Sequence, residues 1–210
     1  MRTVSRKYRT MAVCVGVSGA LLLAALGCNL EPGYSGSGTK KVAILGDEVT
    51  SRSLSELHNS LDPGYLVRIG DVNWSQATQV QPVAQSLADG TPDAVIISLG
   101  TFDAFEAAPA ATTIAALQTM LSTFPPQVCV VFVDIYTGVG KAGFNPAKAA
   151  AINAGVVAFG KPMVEWNAYV SANPGALVGP EKITPSLSGR EAFANLLNSR
   201  VSNCFVIGEG

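Results

Sequence analysis

One histidine, His58, stands in the whole chain of 210 residues, and charge is sparse, at 14% of residues against 48% hydrophobic. A single imidazole excludes a histidine-rich metal cage and leaves little room for histidine-based proton transfer. The 14 Lys and Arg form no cluster interleaved with aromatics, so a surface that tracks a phosphate backbone is excluded and nucleic acid is not expected as a partner. Low charge with high hydrophobicity also excludes a disordered chain and predicts one compact domain with a sizeable core.

Four of the fourteen basic residues stand at the very start. Arg2, Arg6, Lys7 and Arg9 precede an acid-free apolar run over 11–27, and small residues lead up to Cys28. This pattern is that of a secretory signal over 1–27. The run is short for a membrane-spanning helix. Ala25-Leu26-Gly27-Cys28 resembles a bacterial lipoprotein box, with the Ala and Leu in exchanged order, which makes Cys28 the expected lipidation site. The expected location is the cell envelope, on the outer face of the cytoplasmic membrane or in the periplasm, with the membrane reached through the N-terminal lipid. A secreted protein is the alternative. Removal of 1–27 leaves ten basic against fifteen acidic residues, a net charge of −5. The Gly- and Ser-rich 28–39 segment reads as a flexible tether, followed by a domain over 40–210.

Four cysteines are present; Cys14 leaves with the signal, and lipid on Cys28 leaves Cys129 and Cys204 as an even pair. In an exported protein these two are expected as a disulfide, two buried thiols being the alternative.

From residue 40 onward, apolar runs at 42–45, 65–69, 94–99, 128–133 and 162–165 alternate with helical spacing at 50–61, 76–87, 111–124, 146–159 and 188–201. Val95-Ile96-Ile97 and the run from Val128 to Val133 lack polar alternation, as strands covered on both faces do. The expected fold is a three-layer α/β/α sandwich with a five-stranded, mostly parallel sheet of flavodoxin-like kind. Ser188-x-x-Glu191 suggests a capping box for the last helix.

Open parallel sheets bind ligands beyond the C-terminal ends of their strands. Asp47 and Glu48 follow the first strand, Asp71 the second, Asp103 the third and Asp134 the fourth. Helix and turn capping alone places some aspartates there. The glycine-rich stretch 136–144 lacks a Gly-Lys-Ser/Thr ending and is not a phosphate loop, and no cofactor is implied.

Three segments carry a resemblance. Gly46-Asp47-Glu48 matches the Gly-Asp-Ser motif of the SGNH (GDSL-type) hydrolases; the segment from Pro92 to Asp103 resembles their third strand ending in Gly-x-Asn-Asp; and the segment from Glu181 to Gly189 resembles their Asp-x-x-His-Pro region. The resemblance implies a secreted or cytoplasmic esterase scaffold, yet it sets Glu48 where the family has its nucleophilic serine, Asn73 at the oxyanion glycine, Phe102 at the oxyanion asparagine, Glu181 at the triad aspartate and Thr184 at the base histidine. A serine triad needs an imidazole within hydrogen-bonding reach of the hydroxyl. His58 lies eight residues past Thr50, or about 12 Å along a helix.

The resemblance therefore implies a pseudoenzyme. Its old crevice, with Asp47, Glu48, Asp71, Asn73, Asp103 and Thr184, is expected to take an envelope glycan, an acyl ligand or a partner protein. Trp74, Tyr136, Phe144 and Trp166 are candidates for an aromatic wall, Trp166 reading more readily as core. The alternative is an active hydrolase using the carboxylates Glu48, Asp103 and Glu181, glycosidase-like or with a divalent metal on Asp47, Glu48 and Asp103.

Overall fold

The computed structural model describes residues 29–30 and 33–206; the leader 1–27 and Cys28 lie outside the described residues. Two short strands, β1 (Asn29–Leu30) and β2 (Ser35–Gly36), precede β3 (Lys40–Gly46). Then follow α1 (Glu48–Arg52), α2 (Leu54–Leu61), β4 (Tyr65–Asp71), α3 (Gln81–Asp89), β5 (Ala94–Ser98) and α4 (Ala110–Thr123). The chain continues through β6 (Cys129–Val133), α5 (Pro146–Val157), β7 (Met163–Val164), α6 (Trp166–Ala172) and α7 (Leu187–Val206).

The five expected strands are parallel and run in the order β4-β3-β5-β6-β7. In chain order this is 2-1-3-4-5, the flavodoxin-like winding, whose direction reverses between β3 and β5. Among the described residues the sheet has seven strands rather than five, because β1 and β2 both pair antiparallel with β4. The segment read as a flexible tether is thus partly sheet. Its composition suggests coil, but edge pairing uses backbone groups alone, and Gly36 at φ 112° takes a conformation that favours glycine.

Alternation along β3 sends Val42 and Ile44 to one face and Ala43 and Leu45 to the other, all fully buried. The first face packs with β4, α2 and α7 through Leu57, Leu61, Phe193 and Leu197; the second packs with α3, α4 and α5 through Leu87, Leu117, Met120 and Ile152. Cys129 and Cys204 form the expected disulfide, with Cα atoms 5.9 Å apart, joining the start of β6 to the end of α7. On the chain-entropy model, closing a separation of 75 residues stabilises the fold by roughly 4 kcal/mol.

Helix boundaries differ from expectation where local chemistry intervenes. The first helix breaks at Ser53, whose hydroxyl donates to the Val49 carbonyl at 2.7 Å and competes with the helix ladder. The expected helix over 76–87 opens as a 3₁₀ turn, Ala77–Gln79, and becomes α-helical only from Gln81, with Pro82 in its first turn, where a missing N–H is harmless. Helix α7 begins one residue before the suggested cap. Ser186, not Ser188, is its capping residue, its Oγ accepting from the Gly189 N–H at 3.0 Å. Helix α6 falls where no helix is expected: Trp166, which follows the apolar run at 162–165 and reads as core, is its first residue and is buried.

Candidate functional site

The crevice at the β3/β5 reversal is built from the chain turning sharply after Gly46. A Cβ there would collide with the Thr50 side chain, so only glycine lets α1 start this close to the strand. The backbone of Asp47 donates to Ser98 O on β5 at 3.1 Å, and Gly46 O accepts from Val72 N at 2.9 Å. The first residues of α1 are thereby pinned to both neighbouring strands.

Glu48 is only 2% exposed. Its Oε1 accepts from Arg52 Nε at 2.8 Å, one helical turn on, and from Thr184 Oγ1 at 3.4 Å. The structure thus brings together Glu48 and Thr184, the positions that the family resemblance gives to nucleophile and base. Glu48 Oε2 is buried without a partner among the described residues. Arg52 is the residue that sequence reasoning missed here; its spacing of four from Glu48 on a helix was the available signal.

Asp71, at the end of β4, accepts from Ser51 Oγ at 3.0 Å and from Asn73 N at 3.1 Å. Burial pushes its pKa above the usual carboxylate range, against those two hydrogen bonds. Asn73 is thereby tied to the end of β4, with its Oδ1 buried and unpartnered among the described residues.

Phe102 is buried, and its ring lies 4.4 Å from that of Trp74, which is 55% exposed. The stack continues to Phe105 at 6.1 Å and from there to Phe144 at 5.2 Å. Lys141 Nζ lies 4.8 Å from the Trp74 ring centroid and 3.4 Å from Glu181 Oε2. An aromatic wall exists, then, but its members are Trp74, Phe102, Phe105 and Phe144. Trp166 packs in the core with Tyr169 and Phe193, and Tyr136 packs against that same cluster.

Two expected crevice acids are turned elsewhere. Asp103 accepts from Ala77 N at 3.0 Å and from Thr113 Oγ1 at 2.9 Å, both buried. Beside it the buried Lys148 ammonium donates to the backbone carbonyls of Asp103 and Glu106. Asp103 is a tie between loops, and burial raises its pKa although Lys148 and the hydrogen bonds oppose the rise. Asp47 lines a small, partly open cavity of about 20 Å³ beside the crevice, together with Thr101, Asp134, Tyr136 and Lys182. That volume holds about one water molecule.

Burial lifts the Asp47 pKa to about 7, against hydrogen bonds from Thr101 and the Val49 backbone and with added repulsion from Asp103. Asp134, which accepts from Asn167 N at 2.7 Å, is pushed up to about 6, again mainly by burial.

These placements bear on the candidate metal set. Asp47 faces the cavity, Glu48 is paired with Arg52 and Asp103 is saturated by donors; among the described residues no group of three His, Cys, Asp or Glu could hold a metal ion. They also separate the proposed carboxylate partners: Glu181 is 56% exposed and paired with Lys141, whereas Glu48 is buried against Arg52. His58 hydrogen-bonds to Asp62 at 3.0 Å and approaches Ser35 of β2 at 3.4 Å, placing it at the β2 end of α2.

No family model and no curated protein sequence matches the chain. Solved structures do. The psychrotrophic esterase EstA of a Pseudoalteromonas species, solved with monoethylphosphonate as inhibitor, superposes with a TM-score of 0.61 at 10% identity, over 78% of this chain and 97% of its own. The C-terminal catalytic domain of peptidoglycan O-acetyltransferase A from Streptococcus pneumoniae gives 0.61 at 16% identity, over 82% and 96%. A structure described as a lipolytic protein of the G-D-S-L family from Desulfitobacterium hafniense gives 0.63 at 15% identity, over 77% and 99%. With the strand order, the Gly46 turn and the Glu48–Thr184 contact, these likenesses establish that the chain has the SGNH (GDSL-type) hydrolase fold.

Proposed function

We propose that this chain is an exported, lipid-anchored binding domain that keeps the SGNH fold and has given up ester hydrolysis. One observation carries the reading: a carboxylate, Glu48, held by Arg52 and touched by the Thr184 hydroxyl, occupies the place where hydrolysis would need a serine beside an imidazole. Threonine cannot take a proton from a nucleophile near neutral pH. Phe102 offers no donor to a developing oxyanion, a deficit that costs hydrolases about a hundredfold or more. The only histidine is engaged with Asp62 on α2.

Attack by Glu48 itself would form an anhydride that must then be hydrolysed, and its Oε1 is engaged by Arg52 at 2.8 Å. The Glu48 and Glu181 pair is not set up for a two-carboxylate mechanism, since Glu181 is exposed and engaged with Lys141 while Glu48 is buried against Arg52.

Export and anchoring at Cys28 are supported by the basic head, the apolar run and cysteine parity, because the Cys129–Cys204 bridge leaves Cys28 as the odd cysteine of the processed chain. An envelope role is in keeping with one fold neighbour being a peptidoglycan O-acetyltransferase. The crevice is the binding site, for a glycan, an acyl group or a partner protein.

The test is hydrolysis of short-chain nitrophenyl esters and acetylated sugars by the full chain processed in an exporting bacterium, with and without divalent cations, beside Glu48→Gln. Rates equal to buffer for both proteins are expected. Turnover that disappears in Glu48→Gln refutes the reading and makes Glu48 catalytic. Metabolic labelling with an alkynyl fatty acid, lost in Cys28→Ser, tests the anchor.

A further inference from the structure

We infer that the rim around Glu48 binds a neutral, hydroxyl-rich sugar ring stacked on Trp74. This rests on the non-hydrolytic reading above and names the ligand class of the same crevice.

Contacts run round the rim as a closed circuit. Glu48 meets Thr184 at 3.4 Å; three residues earlier, Glu181 meets Lys141 at 3.4 Å; and Lys141 lies 4.8 Å over Trp74. Trp74 adjoins Asn73, whose N–H donates to Asp71 at 3.1 Å, and Asp71 accepts from Ser51 at 3.0 Å on the helix that carries Glu48. The ring thus encloses all the positions that would carry hydrolysis except Phe102, which floors Trp74 from below.

Trp74 is built to be displayed. It is the one aromatic among the exposed large hydrophobic side chains of the described residues. Its backbone has φ 61°, a left-handed conformation that a bulky residue adopts only under constraint from its surroundings, and such strain concentrates at ligand-binding positions. The Phe102–Phe105–Phe144 cluster packs against the indole, which remains half exposed with the Lys141 ammonium 4.8 Å from its ring centre.

The polar groups on the circuit select the ligand. Asn73 Oδ1 and Glu48 Oε2 are buried acceptors with no donor among the described residues, and Glu48 is almost wholly buried. Such atoms reward a ligand that brings hydrogen-bond donors. An acyl chain brings none. A phosphate or carboxylate ligand brings acceptors, which leave both of these atoms unpaired. A pyranose ring brings an apolar C–H face for the indole and hydroxyl donors at its edge, and Lys141 can exchange the ring face for a sugar oxygen while keeping Glu181.

The chain's two tryptophans make the test direct, because Trp166 is 2% exposed and Trp74 is the one that acrylamide can reach. Acrylamide quenching of the full chain is measured with millimolar chitotetraose, cellotetraose, xylotetraose or decanoate. Protection of Trp74 by at least one oligosaccharide is expected, with saturation-transfer NMR signals on the sugar that disappear in Trp74→Ala and an affinity about tenfold weaker in Asn73→Ala. The unchanged emission of Trp166 in Trp74→Ala certifies the fold. Protection by decanoate alone, or by none of the four, overturns the sugar assignment and leaves the non-hydrolytic reading standing. Release of acetate from an acetylated form of the protecting oligosaccharide overturns that reading and leaves the sugar site standing.

Discussion

Asp103 and Asp47 are both buried carboxyls at the C-terminal edge of one sheet, yet they are partnered in opposite ways. Each oxygen of Asp103 accepts a hydrogen bond, from Ala77 and from Thr113, whereas Asp47 Oδ2 has no partner among the described residues and its side chain lines a small cavity. A saturated buried acid is a tie that holds loops in place. An unsaturated one is a stability cost that the fold retains, and at this edge Asp47 shares that property with its neighbour Glu48. The two kinds are indistinguishable by sequence position, since each follows a strand of the same sheet.

The largest effect is expected where the tie is cut. Asp103→Ala removes both acceptors, strands the Ala77 N–H, and takes away a charge that faces the buried Lys148 ammonium. A loss of about 3–5 kcal/mol is expected in urea denaturation. A loss below about 1 kcal/mol would mean that Asp103 is no tie and that the contrast with Asp47 is false.

The pH dependence tests the other side of the comparison. A carboxyl whose folded pKa exceeds its unfolded value stabilises the fold when protonated. Its contribution is therefore complete below the unfolded pKa, near 4, and is lost as pH rises through the folded value, about 7 for Asp47 and about 6 for Asp134. For Asp47, displacement from 3.8 to about 7 corresponds to at most about 4 kcal/mol. Asp47→Asn is expected to flatten the decline between about pH 4 and 7 and to be more stable than the parent at about pH 8, as read by urea midpoints across that range. An unchanged slope would show that Asp47 is ionised in the folded protein at neutral pH.

How much of this was legible in the sequence follows from which forces act at each place. The five parallel strands were legible because burial on both faces demands continuous apolar runs such as Val95-Ile96-Ile97. Strands β1 and β2 were not, because their two-residue pairings depend on the exposed edge of β4 and carry no side-chain pattern. Helix α6 escaped notice because it is only seven residues long and starts one residue after β7, too short for a helical repeat to stand out.

At the site, the order of segments anticipated that Glu48 and Thr184, far apart in the chain, lie side by side. The Lys141–Trp74 contact joins two loops distant in sequence, which no spacing rule encodes. Whether an aspartate is tied or unsatisfied depends on donors from elsewhere in the chain, such as Thr113 for Asp103, and local sequence does not carry that information.

The smallest expected effect lies at the contact on which the functional reading turns. Thr184 Oγ1 stands 3.4 Å from Glu48 Oε1, at the long end of hydrogen-bonding distance, while Arg52 supplies the shorter bond. Thr184→Val is therefore expected to change stability by no more than about 0.5 kcal/mol, and Glu48→Gln by no more than about 1 kcal/mol, since Arg52 is largely exposed and loses little when its partner is neutralised. These limits are far below the Asp103→Ala loss. A cost of about 3 kcal/mol for either variant would make Glu48 a tie like Asp103, conserving loop position instead of presenting acceptors, and the case for a ligand at the rim would then have to stand on Trp74 and Asn73 alone.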